Sequence, residues 1–172
     1  MCRETERVSL RLRLFTLAVL SLSAVGCQSR APSQGEAEIR QLLDHWAKAF
    51  GAHDVNAAMS IYAPDVVAYD IVPPLQAVGK DAYRKNYEQF VAQYDGPIEV
   101  EFRDLHIAAS DDVAIAEGLE QISGTIKGQK TSIWARFTSG FRKINGAWLD
   151  VHDHVSVPTD FATGKSLLDL KP

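Results

Sequence analysis

The residues whose types and spacing could carry chemistry lie late in the chain. His152 and His154 stand two apart, either side of Asp153, so in an extended strand both imidazoles share one face. Two histidines so placed are half of a metal site, which needs a third or fourth ligand. His106 is a possible third, and nothing in the sequence brings it near. The same pair equally suits an interface, structural hydrogen bonding or a pocket wall, and no metal is expected. Trp134, Arg136 and Thr138 also repeat at period two. An arginine on an inward face would be costly to bury alone and would want an anion, either Asp70, Asp153 or a ligand carboxylate; on an outward face it is a surface residue. Asp70 closes a short β-prone run before Pro73-Pro74, where a carboxylate is either a pocket base or a solvated strand end. No Ser-His-Asp order, phosphate loop or cysteine-based site stands out, so no cofactor is expected.

Helices followed by hairpins must position these groups. Ser33 and Glu36 have the spacing of a capping box, and Ile39, Leu42, Leu43, Trp46, Ala49 and Phe50 follow at helical period. Asp54 caps a second helix expected to carry Val55, Ala58, Met59 and Tyr62 and to end at Pro64. Residues 66–70 read as a strand, and residues 80–94 as a helix stopped by Gly96-Pro97. Beyond it the chain alternates as four strands, with turns at Asp111-Asp112, Lys127-Gly128 and Asn145-Gly146. The last is a strong hairpin signal, because a type I′ turn needs positive φ at both central positions. Counting back from it pairs Arg136 with Val155, Thr138 with Asp153, Ser139 with His152 and Phe137 with His154. In that register the histidines lie on the face opposite Arg136; a bulge would reverse the assignment. Helices to one side of a mostly antiparallel sheet make an α+β architecture.

The 172 residues suit one domain, and 46% apolar content with three Trp, five Tyr and seven Phe argues against disorder. A formal charge of -4 with no basic stripe makes nucleic acid an unsuitable partner. Arg3, Arg7, Arg11 and Arg13 precede an apolar run over residues 14–25, which as a helix spans about 18 Å, short of a hydrocarbon core of about 30 Å. Residues 1–26 therefore read as a cleaved export signal. Ala24-Val25-Gly26-Cys27 resembles a bacterial lipobox, with Ala24 where leucine is usual, so Cys27 is expected to carry lipid; the alternative is cleavage nearby without lipid. Residues 27–36 form a tether, 37–160 the domain and 161–172 a C-terminal tail. The protein is expected at the bacterial cell envelope, lipid-anchored at the outer membrane or periplasmic face.

Helix, helix, strand, helix and four hairpin-joined strands resemble the NTF2-like superfamily. SnoaL-like proteins are similar over nearly the whole mature chain, through Phe141-Arg142-Lys143, Asn145-Gly146-Ala147-Trp148, Val151-His152-Asp153-His154-Val155-Ser156-Val157-Pro158 and Ala162-Thr163-Gly164-Lys165. The calcium/calmodulin-dependent kinase II association domain is similar from Gly146 to Ser156. Ketosteroid isomerases are similar from Tyr62-Ala63 through Asp65 and Asp70 to Gly79. The resemblance implies a strongly curved, mostly antiparallel sheet wrapped on the N-terminal helices as a cone with one pocket. It implies that Asp70 moves a proton, that Trp46 and Thr138 occupy the positions of the two donors to the enolate oxygen, and that Tyr62 and Tyr87 support the first of them. It also places the Trp134, Arg136 and Thr138 face inside the cone. Ketosteroid isomerases use a tyrosine and a neutral carboxylic acid as those donors. An indole N–H and a threonine hydroxyl are weaker, and loss of one such donor costs about 2.7–4 kcal/mol, so steroid isomerisation itself is not implied.

These readings give an envelope-anchored homodimer that binds a small, partly apolar organic molecule, with Asp70 as its proton-transfer group and Trp46, Tyr62, Tyr87, Trp134, Arg136, Thr138 and Asp153 as ligand-binding residues. The alternative is a non-catalytic oligomerisation domain like the kinase association domain. Lipid at Cys27 has a direct consequence. Cys27→Ser should move the full chain from the membrane fraction to the soluble fraction, since without acyl chains nothing expected of the tether holds a bilayer; unchanged membrane fractionation contradicts acylation.

Overall fold

The computed structural model describes residues 31–172; the export segment and Cys27 lie outside the described residues. Helix α1, Gln34–Gly51, starts at the expected capping box: the Ser33 hydroxyl accepts from the Glu36 amide at 3.2 Å, and the Glu36 carboxylate accepts from the Ser33 amide at 2.7 Å. Its buried face is Ile39, Leu43, Trp46, Ala49 and Phe50, spaced for one stripe of a helix. It ends where the chain needs glycine, because a Cβ on Gly51 would lie 2.5 Å from the Ile98 carbonyl oxygen. Helix α2, Val55–Ala58, is capped by the Asp54 carboxylate and runs into a 3-10 turn at Met59–Ile61.

Strand β1, Tyr62–Tyr69, begins earlier than the periodicity predicts. Tyr62 is therefore a strand residue and Pro64 lies within the strand, at an irregularity where the register against β6 shifts between Tyr62 and Val67. Proline is tolerated there because the ladder is already interrupted. A short β2, Ala77–Val78, leads into helix α3, Lys80–Val91. Then come β3, Glu99–Ala109; β4, Val113–Ile126; β5, Gln129–Ile144; and β6, Ala147–Ser156. The tail adds a small hairpin of β7, Thr159–Asp160, and β8, Lys165–Ser166. The six-stranded sheet has the order β2-β1-β6-β5-β4-β3, with β1 and β6 parallel and all other neighbours antiparallel.

Two bulges bend this sheet. In β3 the register against β4 slips between Arg103 and His106, with Asp104 at φ 52° and Gly118 opposite, where a Cβ would sit 3.0 Å from the Arg103 carbonyl oxygen. In β6, Gly140 pairs with His152 but Phe141 pairs with Asp150, which leaves Val151 as the extra residue. Bulges raise local twist and curl a sheet around what it covers. The concave side packs on α1 and α3 through Trp46, Phe50, Tyr83 and Tyr87, and through Ile39, Leu43, Phe137 and Phe141.

The Val151 bulge overturns the register counted from the hairpin. Ser139 faces Asp153, and Thr138 faces His154. Along β5 the buried residues are Ala135, Phe137, Ser139 and Phe141, while Arg136 is exposed. Trp134, Arg136 and Thr138 thus lie on the outer face with His152 and His154, contrary to the expectation that they line the cone. The physical reason is the cost of an unpaired buried guanidinium against an uncharged, mostly apolar set one residue away, whose one polar member, Ser139, donates to Asp153. Outside, Trp134 carries the Arg103 guanidinium 4.8 Å above its ring, and Tyr69 packs edge-on against His152 and His154.

Candidate active site

A cavity opens between the concave face of the sheet and helices α1 and α3. Each wall follows from local pattern. Helix α1 turns Trp46 and Phe50 inward. Helix α3 presents Tyr83, Asn86 and Tyr87, which are one turn apart, and β1 supplies Tyr62 at its start and Asp70 just beyond its end. Strands β4 and β5 contribute Glu120 and Ser139. Strand β6 contributes both Asp150 and Asp153, an inward pair three apart that a regular strand would send to opposite faces.

Asp153 is the hub of the polar network. Its Oδ2 accepts from the Tyr83 hydroxyl at 2.8 Å and the Tyr62 hydroxyl at 3.1 Å, and its Oδ1 accepts from the Ser139 hydroxyl at 3.0 Å. Tyr62 and Tyr87 are joined at 2.7 Å, and the Trp46 indole N–H donates to the Tyr87 oxygen at 2.7 Å. The indole can only donate. The chain of protons therefore runs one way, from Trp46 to Tyr87 to Tyr62 to Asp153. This corrects the role implied for Trp46: its N–H is spent on Tyr87 and is not free to hold a ligand oxygen. Asp150, 1% exposed, lies beside Ser139 and receives the His152 backbone amide, while its Oδ1 has no partner.

Every carboxyl in the cavity is harder to ionise than usual. Burial lifts Glu120 to about 8, with the Asp153 and Asp70 charges adding to the effect. Burial lifts Asp70 to about 6, against the Ile71 amide, which donates to it at 2.6 Å. Asp150 is raised well above the usual range by burial and by Asp153. Asp153 is raised by burial but pulled back by its three hydroxyl donors, so it is the better anion of this coupled pair. Burial, then Asp153, keeps Tyr62, Tyr83 and Tyr87 well above the ordinary phenol value. Among the described residues the lining contains no Lys, Arg or His.

The void is about 640 Å³ with its mouth included, of which about 60 Å³ is open to the centre of a water molecule. The second figure decides the size of occupant, since one water needs roughly 10–15 Å³ on that measure. The interior takes a few waters or one slim molecule. Asp70, Ile71 and Val155 are shared with a shallower groove outside, so Asp70 stands at the threshold between the two.

Of the residues expected from sequence, Trp46, Tyr62, Tyr87, Asp70 and Asp153 come together here, and Trp134, Arg136 and Thr138 do not. Tyr83, Asn86, Glu120, Ser139 and Asp150 were not expected. Glu120 had a signal: it shares period two with Ala114, Ala116, Gly118 and Ile122, a set otherwise without charge. Among the described residues no three His, Cys, Asp or Glu side chains are disposed to hold a metal ion.

A bulged sheet curled over helices, with a pocket in its concavity, defines an α+β cone of the NTF2-like class. The SnoaL-like domain profile matches residues 39–160, and the chain belongs to that family. It is similar to an NTF2-like protein of unknown function from Pseudomonas putida KT2440 at 36% identity, covering 80% of this chain and 96% of that one with a TM-score of 0.73. A provisionally assigned calcium/calmodulin-dependent protein kinase II association domain from Xanthomonas campestris is 26% identical over 74% of this chain and 91% of that one, with a TM-score of 0.65. A ketosteroid isomerase-like protein from Erwinia carotovora atroseptica is 22% identical over 73% and 97%, TM-score 0.62, and shares the fold. No curated protein matches the chain.

The raised carboxyls set the pH dependence of stability. For Glu120 the folded-state value of about 8 lies above the ordinary 4.5. At low pH both states are protonated and Glu120 costs nothing. As pH rises through this window only the unfolded chain ionises, so the folded state loses stability. Glu120→Gln should therefore gain on wild type between pH 5 and 8, by roughly 4 kcal/mol at most at about 1.36 kcal/mol per pH unit. Urea midpoints that differ by a constant amount across that range would refute this.

Proposed function

We propose that the chain binds a small, partly apolar organic molecule in the cone cavity and that Asp70 moves a proton on it without a cofactor. The observation that carries this reading is the position of Asp70: a carboxyl at the mouth of an aromatic-walled cavity, lifted by burial to about 6. A base of that strength is ionised at neutral pH yet keeps enough proton affinity to take a proton from an activated carbon. The hydroxyl network around Asp153 gives the inner end of the cavity fixed polarity. The small free interior favours a slim ligand over one of steroid size.

The reading extends to placement in the cell. Cys27 lipid would hold the domain at the envelope, and the outer face bearing Tyr69, Trp134, Arg136, His152 and His154 would pair two copies. That face supports the oligomerisation alternative as well, because Val113 and Ile115 are exposed beside it. The cavity is what favours binding, since an assembly domain has no need of carboxyls in its interior.

Native mass spectrometry of the purified full chain tests both halves: a dimer carrying one small molecule per chain is expected, and a bare chain counts against ligand binding. Proton transfer is read from deuterium uptake at the α′- and γ-carbons of 2-cyclohexenone in D2O. The rate should rise with pH through about 6, as Asp70 ionises. It should fall roughly 10²–10⁴-fold in Asp70→Asn. Equal rates in both proteins would remove Asp70 from the chemistry.

A further inference from the structure

Resting on the binding reading above, we infer that the ligand of the cone cavity is an organic amine, bound as its ammonium ion against Glu120 with the aromatic walls around its apolar body. The lining holds Asp70, Glu120, Asp150 and Asp153 and no basic side chain. An internal cation is how buried carboxyls are ordinarily compensated; among the described residues none lines this cavity, and His152, on the outer face of the sheet, acts on Asp153 from outside it. Asp153 has three hydroxyl donors. Glu120 has none: it is 4% exposed, it lines the cavity, and only burial and neighbouring negative charge act on its carboxyl. Asp150 Oδ1 is likewise without a donor. An acceptor buried without a donor is unfavourable, and a ligand that supplies N–H donors to Asp150 Oδ1 and to the cavity-facing Glu120 carboxyl removes that cost.

The walls fit the same class. Phe50, Tyr87 and Phe102 stand with ring centroids 5.1–6.5 Å from that of Trp46, and all four line the cavity. Aromatic faces attract ammonium groups, most strongly where water is excluded. An anionic ligand would face four carboxyls with nothing to neutralise it, and a neutral ligand could donate a hydrogen bond but would bring no positive charge to them. The proton balance is definite. At neutral pH the Glu120 carboxyl carries its proton; binding R–NH3⁺ leaves Glu120 as carboxylate and passes that proton to the buffer. The titratable groups facing it are the other three carboxyls and the phenols of Tyr62, Tyr83 and Tyr87, all in the protonation states already described.

Calorimetric titration of the full chain at pH 7 with benzylamine, benzyl alcohol and benzoate tests the inference. Benzylamine should bind at least tenfold more tightly than benzyl alcohol, benzoate should be weakest, and amine binding should release close to one proton, read from the dependence of the heat on buffer ionisation enthalpy. In Glu120→Gln the amine-to-alcohol affinity ratio should fall to about one and the proton release should vanish; the near-ultraviolet circular dichroism of the variant reports whether its core is intact. If that variant does not fold, Asp70→Asn should still lower the ratio. Benzyl alcohol binding as well as the amine, or amine binding without proton release, overturns the amine inference and leaves the small-molecule reading standing. Failure of all three probes to bind overturns both.

Discussion

One extra residue in β6 governs the interior. Val151 has no partner across the strand pair, so Asp150 and Asp153 both turn into the cone and His152 and His154 both turn out. Without that bulge the inner face would take one carboxyl from this segment. With it, two acids share an interior that no lysine, arginine or histidine lines among the described residues. The remainder of the site answers this constraint. Three tyrosines and a serine supply hydroxyls where cations are missing, and protons stay on the carboxyls that the hydroxyls do not reach. Like charges cannot all ionise at such close quarters.

That arrangement links stability to function. A cavity with raised carboxyls is a destabilised interior, tolerated because α1, α3 and the sheet pack densely on either side of it. The aromatic ring cluster and the apolar set of Ile39, Leu43, Phe137 and Phe141 supply that packing. Protein sites that do acid and base chemistry at neutral pH are made in this way, by setting titratable groups in environments that push them apart. Here Asp70 at the mouth and Glu120 within differ by about 2 units, at about 6 and about 8, so at neutral pH one is mainly charged and the other mainly neutral. The fold alone does not confer this, since the same scaffold serves isomerase-like and association-like relatives; the side chains on its concave face do.

The sequence made the scaffold legible because its signals are local. Ser33 and Glu36 cap α1 as their spacing requires, and Asn145 and Gly146 adopt φ of 52° and 84°, the turn that their types favour. The site was legible mainly where position in the family carried it, as for Asp70, Tyr62 and Tyr87, with Trp46 also marked by the apolar period of α1 and Asp153 by its place between the two histidines. The Val151 bulge is marked only on the partner strand, where Gly140 stands at the slip in register; Asp150-Val151-His152 itself contains no glycine or proline, and the extra residue is fixed by what packs on either side of it. A one-residue slip moves every side chain to the other face, so that single omission sent Trp134, Arg136 and Thr138 inward on paper. Charge could have corrected it. Arg136 in an interior is expensive, whereas Ala135, Phe137 and Phe141 ask to be buried. The start of β1 at Tyr62 is hidden in the sequence for a related reason, since Pro64 reads as a stop locally but is accommodated at the irregular parallel pairing with β6.

The central claim is that the cone holds carboxyls that stay protonated at pH values where ordinary acids are ionised. Carbon NMR of the side-chain carboxyls, followed from pH 3 to 10 on the full chain, measures this directly. The account predicts separate late transitions, Asp70 near 6 and Glu120 near 8, with Asp150 titrating well above its usual range. If every Asp and Glu carboxyl completes its titration by about pH 5, within the range of exposed acids, the interior described here is wrong.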